Sequence, residues 1–115
     1  MKKIELLSSG KAKSLFTTEI SDQLIMEYRD DTSAFDGKKI EKLAGKGTVN
    51  NRFNAHVMQH IEKSGVATHF IEEVSDNESL VRKLEMVPIE CVVRNITAGS
   101  ICKRLGLEEG MELNP

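Results

Sequence analysis

A chain of 115 residues, 39% apolar and 30% charged, is sized for one domain of common size with little room for two, and is too apolar to stay disordered. Its net charge of −2, with 16 basic and 18 acidic side chains and only four Phe and one Tyr, gives no general affinity for nucleic acid or an anionic membrane. No apolar run approaches the roughly 20 residues that span a bilayer and no leader-like segment precedes a cleavage site, so a cytoplasmic location is expected; Cys91 and Cys102, without metal-ligand spacing, read as reduced, buried thiols.

In chain order, the first thirty residues alternate as strands do. Ile4 to Leu7, Ser14 to Thr18 and Gln23 to Arg29 are three short strands, with Ile20-Ser21-Asp22 turning the chain before the third. Between the first two lies Gly10-Lys11-Ala12-Lys13. Residues two apart on an extended chain share a face, so Lys11 and Lys13 aim both ammonium groups one way, and Gly10 allows close approach of a ligand. That suits a polyphosphate, although the spacing is neither G-x-x-x-x-G-K-[ST] nor G-x-G-x-x-G, and two solvated lysines on a hairpin satisfy the same pattern.

Asp30 to Thr48 reads as a long polar connection. Its aspartates, Asp36 among them, are suited either to Mg²⁺ or to capping backbone N–H groups in turns. Thr48 then reads as the N-cap of an amphipathic helix to Ser64, with Val49, Phe53, Val57 and Ile61 as its core stripe and Gly65 after it. His56 and His60 are one turn apart but lack the glutamate of H-E-x-x-H and read as surface residues. Strands follow over Thr68 to Val74 and Leu80 to Val87, with Ser75-Asp76-Asn77 between them. The second, ended by Pro88, is suited to offering main-chain groups to a flat base with Val81 and Met86 as apolar walls, or to serving only as a sheet strand.

Ile89 to Val93 is a β-branched run typical of a buried strand. It leads through Ala98-Gly99 to a short helix over Ser100 to Leu105 with Gly106 as its C′ residue. Arg94 with the N–H groups around Gly99 and Ser100 forms either an anion cradle or an ordinary turn.

The ordered set of Gly10-Lys11-Ala12-Lys13, Asp31-Thr32-Ser33-Ala34 with Asp36-Gly37, Val49-Asn50-Asn51, the Leu80 to Pro88 segment, Val92-Val93-Arg94-Asn95 with Ala98-Gly99-Ser100, and Lys103-Arg104-Leu105-Gly106 to Glu112-Leu113 resembles the SAICAR synthetases (phosphoribosylaminoimidazole-succinocarboxamide synthases) of purine biosynthesis. The resemblance runs from about Gly10 to the last residue. It implies an α+β fold: an antiparallel sheet with a packed helix like the small ATP-binding lobe over residues 1–87, and the start of a second, substrate and catalytic lobe over 88–115.

It also implies an ATP- and Mg²⁺-dependent ligase joining aspartate to carboxyaminoimidazole ribonucleotide. Carried over position by position, Lys11, Ala12 and Lys13 resemble the loop over the ATP phosphates, and Val81, Lys83, Glu85 and Met86 the adenine-side strand. Asp36, Arg94, Gly99 and Ser100 resemble substrate-binding positions. Small-molecule substrates, no nucleic acid, no membrane and a homo-oligomer at full length are implied. Two departures stand out: Ser8 replaces the aromatic residue common two positions before the loop glycine, and family members are about twice as long. The further half resembles the part carrying magnesium-binding carboxylates and more cations, so this chain is expected to be a fragment inactive alone. The reading of another class is a non-catalytic nucleotide- or RNA-binding module, disfavoured by the few aromatics and the acidic balance.

Overall fold

A computed structural model describes residues 2–34 and 39–114 of the chain. It divides into two compact units, Met1–Glu85 and Met86–Pro115.

The first unit is a five-stranded antiparallel sheet with a long helix on one face, the α+β arrangement the resemblance implies. Its strands are β1 (Leu6–Ser9), β2 (Lys13–Thr17), β3 (Gln23–Tyr28), β6 (Phe70–Ser75) and β7 (Glu78–Arg82), in the order β1-β2-β3-β7-β6. Directly paired residues share a face, so Leu15, Leu24, Met26, Ser79, Val81 and Phe70 lie on one side of the ladder. Phe16, Ile25 and Leu80 lie on the other. There Lys3 sits 4.6 Å from the Phe16 ring centroid and reaches Glu27 at 2.6 Å and Glu78 at 2.7 Å.

The expected polar connection holds two further strands, β4 (Asp31–Ala34) and β5 (Lys39–Lys42), which pair with each other as a separate two-stranded ladder. The Thr32 hydroxyl donates to the Glu41 carbonyl within it. Asp36 lies outside the described residues.

Helix α1 (Lys46–Lys63) begins two residues before the expected Thr48 cap. Its N-cap is Gly45, at φ 82° and without a capping side chain of its own. Asp30 supplies the cap from the end of β3, accepting from the Gly47 N–H at 2.8 Å and the Gly45 N–H at 3.3 Å. A carboxylate there also complements the helix dipole. The buried face of α1 is Gly47, Asn51 and Ala55, whereas the expected core stripe leaves Val49 66% and Phe53 68% exposed. Small residues win the interior position because the helix lies almost against the end of β3. A Cβ on Gly47 would stand 2.2 Å from the Tyr28 carbonyl oxygen. Asn51, fully buried, donates to the carbonyls of Ser75, Asp76 and Glu78 and accepts from the Ser79 hydroxyl. One amide thereby satisfies the β6–β7 hairpin and fixes the helix to it.

Strand β7 ends at Arg82, short of the expected Val87, after which the Lys83 N–H donates to the Asp22 carbonyl and the ladder stops. In the second unit the expected buried strand over Ile89 to Val93 is absent: Val93 is 94% and Ile89 70% exposed, and no strand pairs with them among the described residues. β-Branched residues favour a pleated, half-buried surface, and without a neighbouring strand they do not make one. Cys91 is accordingly exposed, while Cys102 is buried as expected; both are free thiols. The helix α2 (Ser100–Leu105) ends as its sequence predicts, with Gly106 left-handed at φ 65°. The hub of this unit is the buried Thr97, whose hydroxyl donates to the Glu108 carbonyl at 2.7 Å and accepts from the Met111 N–H at 2.9 Å. Its own N–H and carbonyl bond Met111 and Gly110.

Candidate functional site

The turn between β1 and β2 carries the Gly10-Lys11-Ala12-Lys13 motif, closed by the Gly10 N–H donating to the Lys13 carbonyl at 2.8 Å. The Lys11 and Ala12 N–H groups, two in succession, have no acceptor among the described residues, and neither do the exposed Lys11 and Lys13 ammonium groups. Consecutive free N–H groups beside two ammonium groups form an electropositive nest able to receive an anion.

Sequence reasoning did not find what shapes this turn. Arg29, one residue past β3, donates from its guanidinium to the Gly10 carbonyl at 2.6 Å, to the Ser9 hydroxyl at 2.8 Å and to the Ser14 hydroxyl. It also pairs with Asp31 at 3.2 Å, and its main-chain N–H holds the Ala12 carbonyl at 2.8 Å. The carbonyls of the turn are thus drawn back toward Arg29.

Lys13 is paired with Tyr28 and Val81 with Leu24, so both lie on the face of the sheet that carries α1. Four residues along the strands and two strands across separate them, roughly 16 Å between Cα atoms. A cavity of about 320 Å³ opens on this face, lined by Ala12, Lys13, Tyr28, Asn50, Phe53, Asn54 and Val57. Val81 is buried within the ladder between Leu24 and Phe70, whereas Lys83 and Glu85 are exposed just beyond the end of β7. Met86, 79% exposed, opens the second unit.

In that unit the Arg94 guanidinium lies against the backbone of Gly99, where a Cβ would meet its Nη2 at 3.4 Å. Gly99 stands at φ 72°, immediately before α2, and Ser100 is exposed. Three of the four expected substrate-binding residues are therefore neighbours in space or sequence.

His69, preceding β6, has a buried Nε2 without a hydrogen-bond partner. Burial, and secondarily the charge of Lys13, hold its imidazole below the usual range. A depressed folded-state pKa means the unfolded chain takes up the proton first. The stability contributed by neutral His69 is complete above the unfolded value of about 6.5 and is lost as pH falls through the folded one. Glu78 is also held low: burial pushes it up, but the Lys3 and Ser75 hydrogen bonds and the Lys3 charge outweigh that, so its contribution begins to be lost only below about 4.5. Thermal melts are expected to show a midpoint that already falls as pH drops below about 6.5, ahead of the Glu78 limb that begins below about 4.5, and His69→Gln should flatten the first limb while leaving the more acidic one. An unchanged limb in the variant would assign it to other groups.

The family model for SAICAR synthetase matches residues 6–115. A phosphoribosylaminoimidazole-succinocarboxamide synthase of Alcanivorax borkumensis is 61% identical over all 115 residues, which are 48% of its length. The crystal structure of the synthase of that name from Ehrlichia chaffeensis superposes with a TM-score of 0.87 at 34% identity, over 96% of this chain and 47% of that one. A SAICAR synthetase solved in complex with ADP gives 0.86 at 44% identity, again over 96% and 47%. The chain spans about half the length of the relatives it matches.

Proposed function

The chain belongs to the SAICAR synthetase family, and from this we propose that it supplies the nucleotide-holding part of an ATP-dependent ligase of purine biosynthesis. The reaction joins L-aspartate to carboxyaminoimidazole ribonucleotide. The ATP γ-phosphoryl group passes to a carboxylate oxygen, the aspartate amine attacks the resulting acyl phosphate, and SAICAR, ADP and phosphate are released. The observation that supports this reading best is the β1–β2 turn, where free N–H groups and unpartnered ammonium groups gather beside the sheet face that carries Val81.

In this reading Lys11, Ala12 and Lys13 hold the phosphates, and Val81 forms the apolar floor beneath the base. Lys83, Glu85 and Met86 border the base with the main chain beyond β7. Arg94, Gly99 and Ser100, with Asp36, receive the anionic groups of the ribonucleotide. That a relative was solved in complex with ADP supports nucleotide binding as such. The Mg²⁺ that accompanies ATP is proposed to be held mainly by carboxylates outside this chain together with the phosphates themselves. The chain spans 48% of the length of the Alcanivorax borkumensis relative, and the complete ligation is proposed for the whole protein. A cytoplasmic setting and a homo-oligomer at full length complete the proposal; among the described residues no helix is long and apolar enough to cross a membrane.

Melting the chain with and without Mg-ATP tests the reading. The midpoint is expected to rise with ATP, since a ligand that binds only the folded state stabilises it. Lys11→Ala/Lys13→Ala should weaken ATP by roughly a hundredfold, at about 1.5 kcal/mol or more for each lost charged hydrogen bond. No shift with ATP, or an equal shift in the double variant, would overturn it.

A further inference from the structure

The structure assigns Arg29 a positioning role: it presets the β1–β2 turn as a polyphosphate receptor without itself touching the ligand. The inference rests on the nucleotide reading of that turn and names what shapes it. Three features carry it. The guanidinium engages acceptors on both sides of the turn, Ser9 and Gly10 before it and Ser14 after it, while Asp31 neutralises its charge from behind. The Arg29 side chain is largely withdrawn from solvent, at 23% exposure, so its charge is committed to these partners. The carbonyls of Gly10 and Ala12 both point to Arg29, one to its guanidinium and one to its N–H.

A peptide unit whose carbonyl is anchored on one side turns its N–H the other way. Holding the Gly10 carbonyl therefore turns the Lys11 N–H of the same peptide unit away from Arg29, where it has no acceptor among the described residues and is free for an incoming anion. Holding the Ala12 carbonyl turns the Lys13 N–H away from Arg29 in the same manner. Preorganised donors need not be ordered at the moment of binding, so the benefit falls on the phosphates and not on the base. A planar fork with several donors can hold two hydroxyls, a carbonyl and a carboxylate together; a lysine ammonium at the same place has neither the reach nor the number of donors.

The test is calorimetric titration of the 115-residue chain and its Arg29→Lys and Arg29→Ala variants with ATP, adenosine and inorganic tripolyphosphate. The melting midpoint is followed alongside. The expected result is a loss of roughly tenfold or more in affinity for ATP and tripolyphosphate, with adenosine unchanged and Arg29→Lys recovering only part of the loss. If Arg29→Ala does not fold, Arg29→Lys carries the comparison alone. Equal weakening of adenosine and ATP would mean a general structural role and overturn the inference, as would unchanged ATP affinity in a folded variant. A wild-type chain that ignores tripolyphosphate also overturns it. Tripolyphosphate binding that depends on Arg29, without any binding of adenosine, would leave the inference standing and sink the nucleotide reading instead.

Discussion

Gly47→Ala is expected to destabilise the first unit by about 3 kcal/mol, although the same change in an exposed helix is stabilising by about 1 kcal/mol. The sign is decided by one contact. The new Cβ would lie 2.2 Å from the Tyr28 carbonyl oxygen and 2.9 Å from its carbon, both backbone atoms that no side-chain rotation can remove. The first turn of α1 must lift away, and the bond from the Gly47 N–H to Asp30 goes with it. Gly45→Ala is the matched control. Its Cβ meets nothing within 4 Å, and only the left-handed backbone at φ 82° resists, a cost of roughly 1 kcal/mol. Urea unfolding followed by circular dichroism separates the two; equal losses would mean that α1 does not sit this close to β3.

Asn51→Leu is expected to cost a similar amount, about 3 kcal/mol, by a different route. The side chain has no exposed surface, and its amide serves the carbonyls of Ser75, Asp76 and Glu78 together with the Ser79 hydroxyl. Leucine fills comparable volume but removes all four of these bonds at once, and each lost bond to a buried group costs roughly 1 kcal/mol, more where the group is left without a partner. Adding Ser79→Ala removes one orphan, so the double variant should lose less than the sum of the two single changes. Strict additivity, or a loss below about 1 kcal/mol for Asn51→Leu, would show that the amide does not bind the hairpin.

These two residues also show where sequence reading stops. Gly47, Asn51 and Ala55 repeat every four residues just as Val49, Phe53 and Val57 do, but small and polar side chains give no hydrophobic signal. The apolar stripe therefore drew the expectation, while close backbone approach decided the packing. β2, β3 and β6 were legible because short apolar runs (Leu15-Phe16, Leu24-Ile25-Met26, Phe70-Ile71) lie between polar and turn residues, and α2 because Gly106 closes it. β4 and β5 were not, since Asp31-Thr32-Ser33-Ala34 and Lys39-Ile40-Glu41-Lys42 present no apolar alternation and are paired only with each other. In Ile89 to Val93 the error ran the other way: β-branched composition suggested a strand for which the described residues provide no partner.

In the candidate site, Lys11 and Lys13 were visible beside Gly10, and the family motifs drew Arg94, Gly99 and Ser100 together. The Arg29 clamp was hidden because its partner Ser9 lies 20 residues away and only the β1-β2-β3 order brings them together. Asp30 was hidden for the same reason. A carboxylate at the end of a strand gives no local sign that it caps a helix 15 residues on.

The most direct test of the nucleotide reading is a titration of the ¹⁵N-labelled chain with Mg-ATP, following each backbone amide. The account predicts saturable shifts centred on Lys11, Ala12 and Lys13 and extending to Val81, Lys83 and Glu85, with adenosine reproducing only the second group. Shifts confined to surfaces away from the β1–β2 turn, or none at saturating ATP, would contradict it.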